Sequence, residues 1–151
     1  MRRDVTLEID LPCQPADVWR ALTDPTALSE WLMPVAGFTA MVGQRFQLRA
    51  KPMPGWDGVI EAEVLDAEGP HRLAYSWKGS QMRSTTTVRW TLTPLPDGGS
   101  TRLSLHHQGF EGASGALMAV MHRAGWRKFV TRRLPSYLAA HAGAAGPDSS
   151  A

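Results

Sequence analysis

Two adjacent histidines, His106 and His107, lie in the stretch LSLHHQGF, Leu103 to Phe110. Imidazole is the side chain best suited to ligate a metal or move a proton near neutral pH. The stretch alternates like a β-strand, so the two rings point to opposite faces and cannot chelate one ion through regular strand geometry. His106 falls with the polar face and reads as a solvated residue. His107 shares the face of Leu103 and Leu105, where a buried imidazole needs either a structural hydrogen-bond partner or a ligand.

Other reactive side chains offer less. The one cysteine, Cys13, has no cationic neighbourhood to stabilise a thiolate. Glu61 and Glu63 alternate onto the outer face of a strand, away from any interior site. Asp57 is the one acid beside a pocket rim that could transfer a proton. HExxH, CxxC and phosphate-cradling glycine motifs are absent, so neither metal nor cofactor is expected.

The elements that must carry these residues are marked by changes of period. Val5, Leu7, Ile9 and Leu11 alternate with polar residues as a half-buried strand. Pro15 opens a helix to Thr23, and Asp24-Pro25 starts a second, with Leu28, Trp31 and Leu32 on one face. Period two then returns, predicting strands over Gly37 to Met41, Arg45 to Lys51, Gly58 to Asp66, His71 to Lys78, Thr85 to Thr93 and Thr101 to His107. Gly43, Gly55 and Gly58 are the expected bend or bulge points. From Ser114 to about His141 the spacing is helical, and Trp126, Val130, Leu134 and Tyr137 fall within about 80° of arc. Pro135 should kink or end that helix.

The inward positions of the strands are apolar and the outward ones polar, so one face of the sheet needs cover. The long helix and the two short ones supply it, which predicts an α+β fold: a curved antiparallel sheet wrapped around a C-terminal helix, with two short helices after the first strand. One helix meets a concave sheet along a line, so a pocket is expected at its flank. Its candidate lining is Phe46, Tyr75, Trp77 and Trp90 from the sheet, His107 and Phe110 at the end of the last strand, Trp56 from a loop, and Met121 and Trp126 from the helix. For Tyr75, Trp77 and Trp90, core packing and cavity lining remain overlapping readings. The basic residues of the helix, Arg123 to Arg133, spread over several faces and read as solvation.

The chain has 151 residues, 43% hydrophobic and 20% charged, which suits one core: residues 1–142 as a domain and 143–151 as a small, polar, disordered tail. Sixteen Lys and Arg against fourteen Asp and Glu leave +2, too little and too dispersed for a nucleic-acid or anionic-membrane partner. A single cysteine, no signal-peptide core and no apolar run near the roughly 20 residues of a membrane span point to a cytoplasmic chain, monomeric or weakly dimeric.

The segments VWRALTDPTALSEWLMP, FTAMVGQRFQL, PGWDGVIEAEVLDAEGPHRLAYSW, VRWTLTPLPDGGSTRLSLHHQGF and GWRKFVTRRLPSYL, in this order, resemble the SRPBCC or START-like superfamily with its helix-grip fold. Within it they are similar to the bacterial homologues of the activator of heat-shock protein ATPase. The resemblance implies a cavity between sheet and C-terminal helix that takes a small apolar or amphipathic molecule, lipid-like or polyketide-like. Two alternatives stand beside it: a cyclase or hydrolase that orients a reactive substrate in the same pocket, with His107 or Asp57 transferring protons, or a chaperone-interaction module with a heat-shock ATPase as partner. Trp56 with Gly58, His107 with Gly109 and Phe110, and Gly125 with Trp126 match its fold signatures, and it carries no universal catalytic set.

Overall fold

The computed structural model describes residues 4–148. Its strands are Val5–Leu11 (β1), Val35–Ala36 (β2), Arg45–Arg49 (β3), Val59–Glu68 (β4), Arg72–Gly79 (β5), Thr86–Pro94 (β6) and Thr101–Gln108 (β7). They form one antiparallel, curved sheet in the order β1-β7-β6-β5-β4-β3-β2. Two short helices, Pro15–Thr23 (α1) and Pro25–Trp31 (α2), follow β1, and Gly112–Lys128 (α3) and Leu134–Asp148 (α4) follow β7. Asp24 caps α2 as its sequence position requires, its carboxylate accepting the Thr26 N–H at 3.0 Å.

In β3 to β7 every inward residue read from the alternation is buried, from Phe46 and Leu48 through Val88, Trp90 and Leu92 to Leu103, Leu105 and His107, while Leu7 and Ile9 of β1 are half-buried. The aromatic side chains interlock across strands. Trp90 donates its indole N–H to the Tyr75 hydroxyl at 2.9 Å and meets Trp31 edge-on, with ring centres 6.1 Å apart. Burying such side chains contributes roughly 1.5–3 kcal/mol each, which is what holds the helices against the sheet.

Three elements differ from expectation. The strand expected over Gly37 to Met41 is absent; the pairing is limited to Val35–Ala36, and Gly37 and Gly43 turn the chain with positive φ. Gly43, Gly55 and Gly58 bend the chain with positive φ as expected, but the register irregularity within the sheet falls between Val64 and Asp66, leaving Leu65 outward and exposed. Pro135 neither ends nor breaks the helix. A π-helical turn at Phe129–Arg133 precedes it, in which the Leu134 N–H reaches the Phe129 carbonyl five residues back. That widened turn relieves the crowding between a proline ring and the carbonyl four residues earlier. The helical backbone continues to Asp148, past the His141 at which the pattern was expected to stop. Trp126, Val130 and Leu134 are buried as the narrow stripe requires, whereas Tyr137 is only half-buried and Leu138 takes the inward place.

Candidate functional site

A space of about 520 Å³ lies between α3 and the β3–β4 side of the sheet. The helix contributes Met118, Met121, His122, Gly125, Trp126 and Phe129 to its wall. Ile60 on β4 and Trp77 on β5 form the floor, with Met33 just past α2 and Gln81 beyond β5 at the sides. Four of the chain's seven methionines line this one space, and their unbranched thioethers conform to differently shaped apolar surfaces. Gly125 keeps it open: a Cβ there would find no atom nearer than the Phe129 ring at 4.0 Å.

A small hairpin forms the rim. Met53 and Trp56 exchange backbone hydrogen bonds of 2.9 Å each, with Pro54 and Gly55 at the tip. The Trp56 indole N–H donates to the Val59 carbonyl at 3.1 Å, which folds the ring back toward the cavity. Gly58, at φ +85°, passes so close to the Ala50 carbonyl that any Cβ would collide with it. Asp57 serves the same turn: one of its oxygens accepts the Val59 N–H at 3.0 Å and the Ser80 hydroxyl at 3.3 Å. The carboxylate therefore holds the hairpin's base and is not among the groups that line the space.

Through the wall and into the core behind it runs a chain of buried and part-buried hydrogen bonds whose proton positions follow from the partners. The Trp126 indole can only donate, and it does so to His107 Nδ1 at 3.0 Å. The neutral ring must then carry its proton on Nε2, which donates to Thr86 Oγ1 at 2.7 Å, while the Thr86 hydroxyl donates to the Trp77 carbonyl at 2.7 Å. His122 has the opposite tautomer. Trp77 donates to its Nε2 at 3.1 Å, so Nδ1 bears the proton and donates to the Met118 carbonyl at 2.8 Å. Burial pushes the His107 pKa well below the usual imidazole value, helped by its neighbours His122 and His106, and burial lowers that of His122. A second proton on either ring would also face an indole N–H. Both imidazoles are thus neutral, with both nitrogens engaged, an arrangement that fixes packing and leaves neither free to shuttle protons.

Of the nine residues expected to line a pocket, Trp56, Trp77, Met121 and Trp126 do so. Phe46, Tyr75, Trp90, His107 and Phe110 do not reach it and pack as core. His107 is fully buried beneath Phe110, their ring centres 4.6 Å apart, and the Tyr75 hydroxyl is occupied by Trp90. His106 points outward to Asp4 at 3.2 Å, on the face opposite His107. Burial raises the thiol pKa of Cys13, with Asp17 adding to the effect, so the thiolate is disfavoured. Among the described residues, no cluster of three or more His, Cys, Asp or Glu side chains is placed to hold a metal ion, and no helix is long and apolar enough to cross a membrane.

Sequence reasoning missed His122, Gln81, Met33 and Phe129. His122 could have been found from helical spacing, since it lies one turn after Met118 and one before Trp126. Gln81 sits in a connecting turn, where no periodicity says which way a side chain points.

The family profile described as "Activator of Hsp90 ATPase homolog 1-like protein" matches residues 12–139. Among solved structures, protein MLL2253 from Mesorhizobium loti is 32% identical with a TM-score of 0.78, the match covering 89% of this chain and 96% of that one. DynU16, from the dynemicin biosynthetic locus, is 25% identical with a TM-score of 0.75, over 91% of this chain and 48% of its own length. Protein BH1534 from Bacillus halodurans, 23% identical with a TM-score of 0.72 over 89% of this chain and 95% of that one, shares the fold. No curated protein matches the chain. With most of its length matched by the family profile and a relative about a third identical, the chain belongs to the AHSA1 family, the AHSA-type branch of the SRPBCC fold.

Proposed function

We propose that this chain binds a small hydrophobic or amphipathic molecule, lipid-like or polyketide-like, in the space between α3 and the sheet. The observation that carries the reading is an apolar wall of methionine and aromatic side chains around about 520 Å³, a size within the range of small-molecule sites. A glycine at position 125 of a helix, where an alanine would favour helix formation, is explained by the room it leaves. DynU16 is in keeping with this reading through its biosynthetic locus. The reading requires no catalytic group: His107 and Asp57, the proton-transfer candidates, are committed to packing and to the hairpin turn.

Titration with Nile red, a neutral apolar fluorophore, tests it. Binding in the space predicts saturable one-to-one emission with micromolar affinity and quenching of tryptophan fluorescence, because Trp56, Trp77 and Trp126 border the site. Emission that rises linearly without saturation contradicts it.

A further inference from the structure

We infer that the molecule held in this cavity carries an uncharged group able both to donate and to accept hydrogen bonds, a hydroxyl or a carboxamide, and that Gln81 recognises it. This inference rests on the cavity-binding reading and adds a chemical class to it. The polar groups of the wall are almost all committed to the protein. The indole N–H groups of Trp56, Trp77 and Trp126 each have an acceptor, and both nitrogens of His122 are engaged. Gln81 is the exception: among the described residues its amide makes no hydrogen bond, and its Oε1 is buried without a partner. A buried amide oxygen left unmet is costly, and native proteins carry few of them.

The amide, with no protein partner, is left to pair with a bound group, and what is fixed is the turn that carries Gln81. Gly79 and Met82 close a tight turn around it: the Met82 N–H donates to the Gly79 carbonyl at 3.0 Å, and the Gly79 N–H meets the Met82 sulfur at 3.3 Å. Gly79 also supplies the room, since a Cβ there would collide with Gln81 Oε1. A primary amide offers a donor and an acceptor side by side, the complement of a hydroxyl or another amide. No Lys, Arg, Asp or Glu is among the lining side chains, so a carboxylate or ammonium would lose its hydration without meeting a counter-charge.

The test uses three probes of one shape, 4-phenylphenol, 4-methylbiphenyl and biphenyl-4-carboxylate, each displacing Nile red from the wild type and from Gln81→Leu and Gln81→Met. The expected result is that the affinity ratio of phenol to methyl compound falls about tenfold in both variants, the worth of one hydrogen bond, with the methyl compound's affinity unchanged or improved. The carboxylate should bind weakest to all three proteins at neutral pH. An unchanged phenol-to-methyl ratio, or a carboxylate that binds tightest, overturns the assignment to Gln81 while leaving the cavity reading intact. Failure of Nile red and of all three probes to bind overturns both.

Discussion

Replacing His107 by alanine takes an acceptor from Trp126 and a donor from Thr86 and leaves a void beneath Phe110. Each buried group left unmet costs about 1–3 kcal/mol, and with the void the variant should lose about 3–5 kcal/mol in urea denaturation. Nile red affinity should change far less, because the ring does not line the cavity. The same chemistry sets a pH dependence. His107 and His122 both have folded pKa values below the ordinary 6.5, so between the two values the unfolded chain binds protons that the folded one refuses. Stability should therefore be full above about pH 7 and fall as the pH drops below about 6.5, with a smaller slope in His107→Ala. The depressed carboxylates Asp10, Asp66 and Asp97 act near or below their ordinary 3.8 and do not share this window. A urea midpoint that stays constant between pH 7.5 and 5.5 would refute the neutral-imidazole account. That His107 points inward is legible from strand alternation. Its partners are not, because Trp126 reaches it from a helix whose placement over the sheet no local pattern specifies.

Among the elements, the rim hairpin is the most sensitive to a single change. Gly58→Ala forces a side chain onto a φ of +85° and a Cβ against the Ala50 carbonyl, and should cost about 1–3 kcal/mol. Because the Trp56 indole is anchored to Val59, the same substitution should shift tryptophan emission; an unchanged melting curve and spectrum would show that the turn tolerates another conformation. The strands β3 to β7 are legible to within a few residues because their alternation is uninterrupted and their faces differ in polarity. The bulge at Leu65 is not, since an inserted residue changes the register without changing the local run of apolar and polar types. Pro135 signals a disturbance of the helix, and only the structure shows that a π-turn absorbs it.

At the scale of the whole molecule, the architecture follows from counting faces: one wet side of a sheet, one dry side, and three helical segments to cover the dry side. The expectation of a space beside the helix follows from the same geometry, but its lining depends on where α3 crosses the sheet. That crossing puts Trp77, Met121 and Trp126 at the wall and leaves Phe46, Tyr75 and Trp90 packed beyond it. The most direct test of the binding account fills the cavity from the helix side, where there is room to do so. Gly125→Phe, compared with the wild type in a Nile red titration, should weaken binding at least tenfold while the melting temperature is maintained, since the ring enters open space and a helical glycine is replaced. A folded Gly125→Phe protein that binds Nile red as tightly as the wild type would contradict the account.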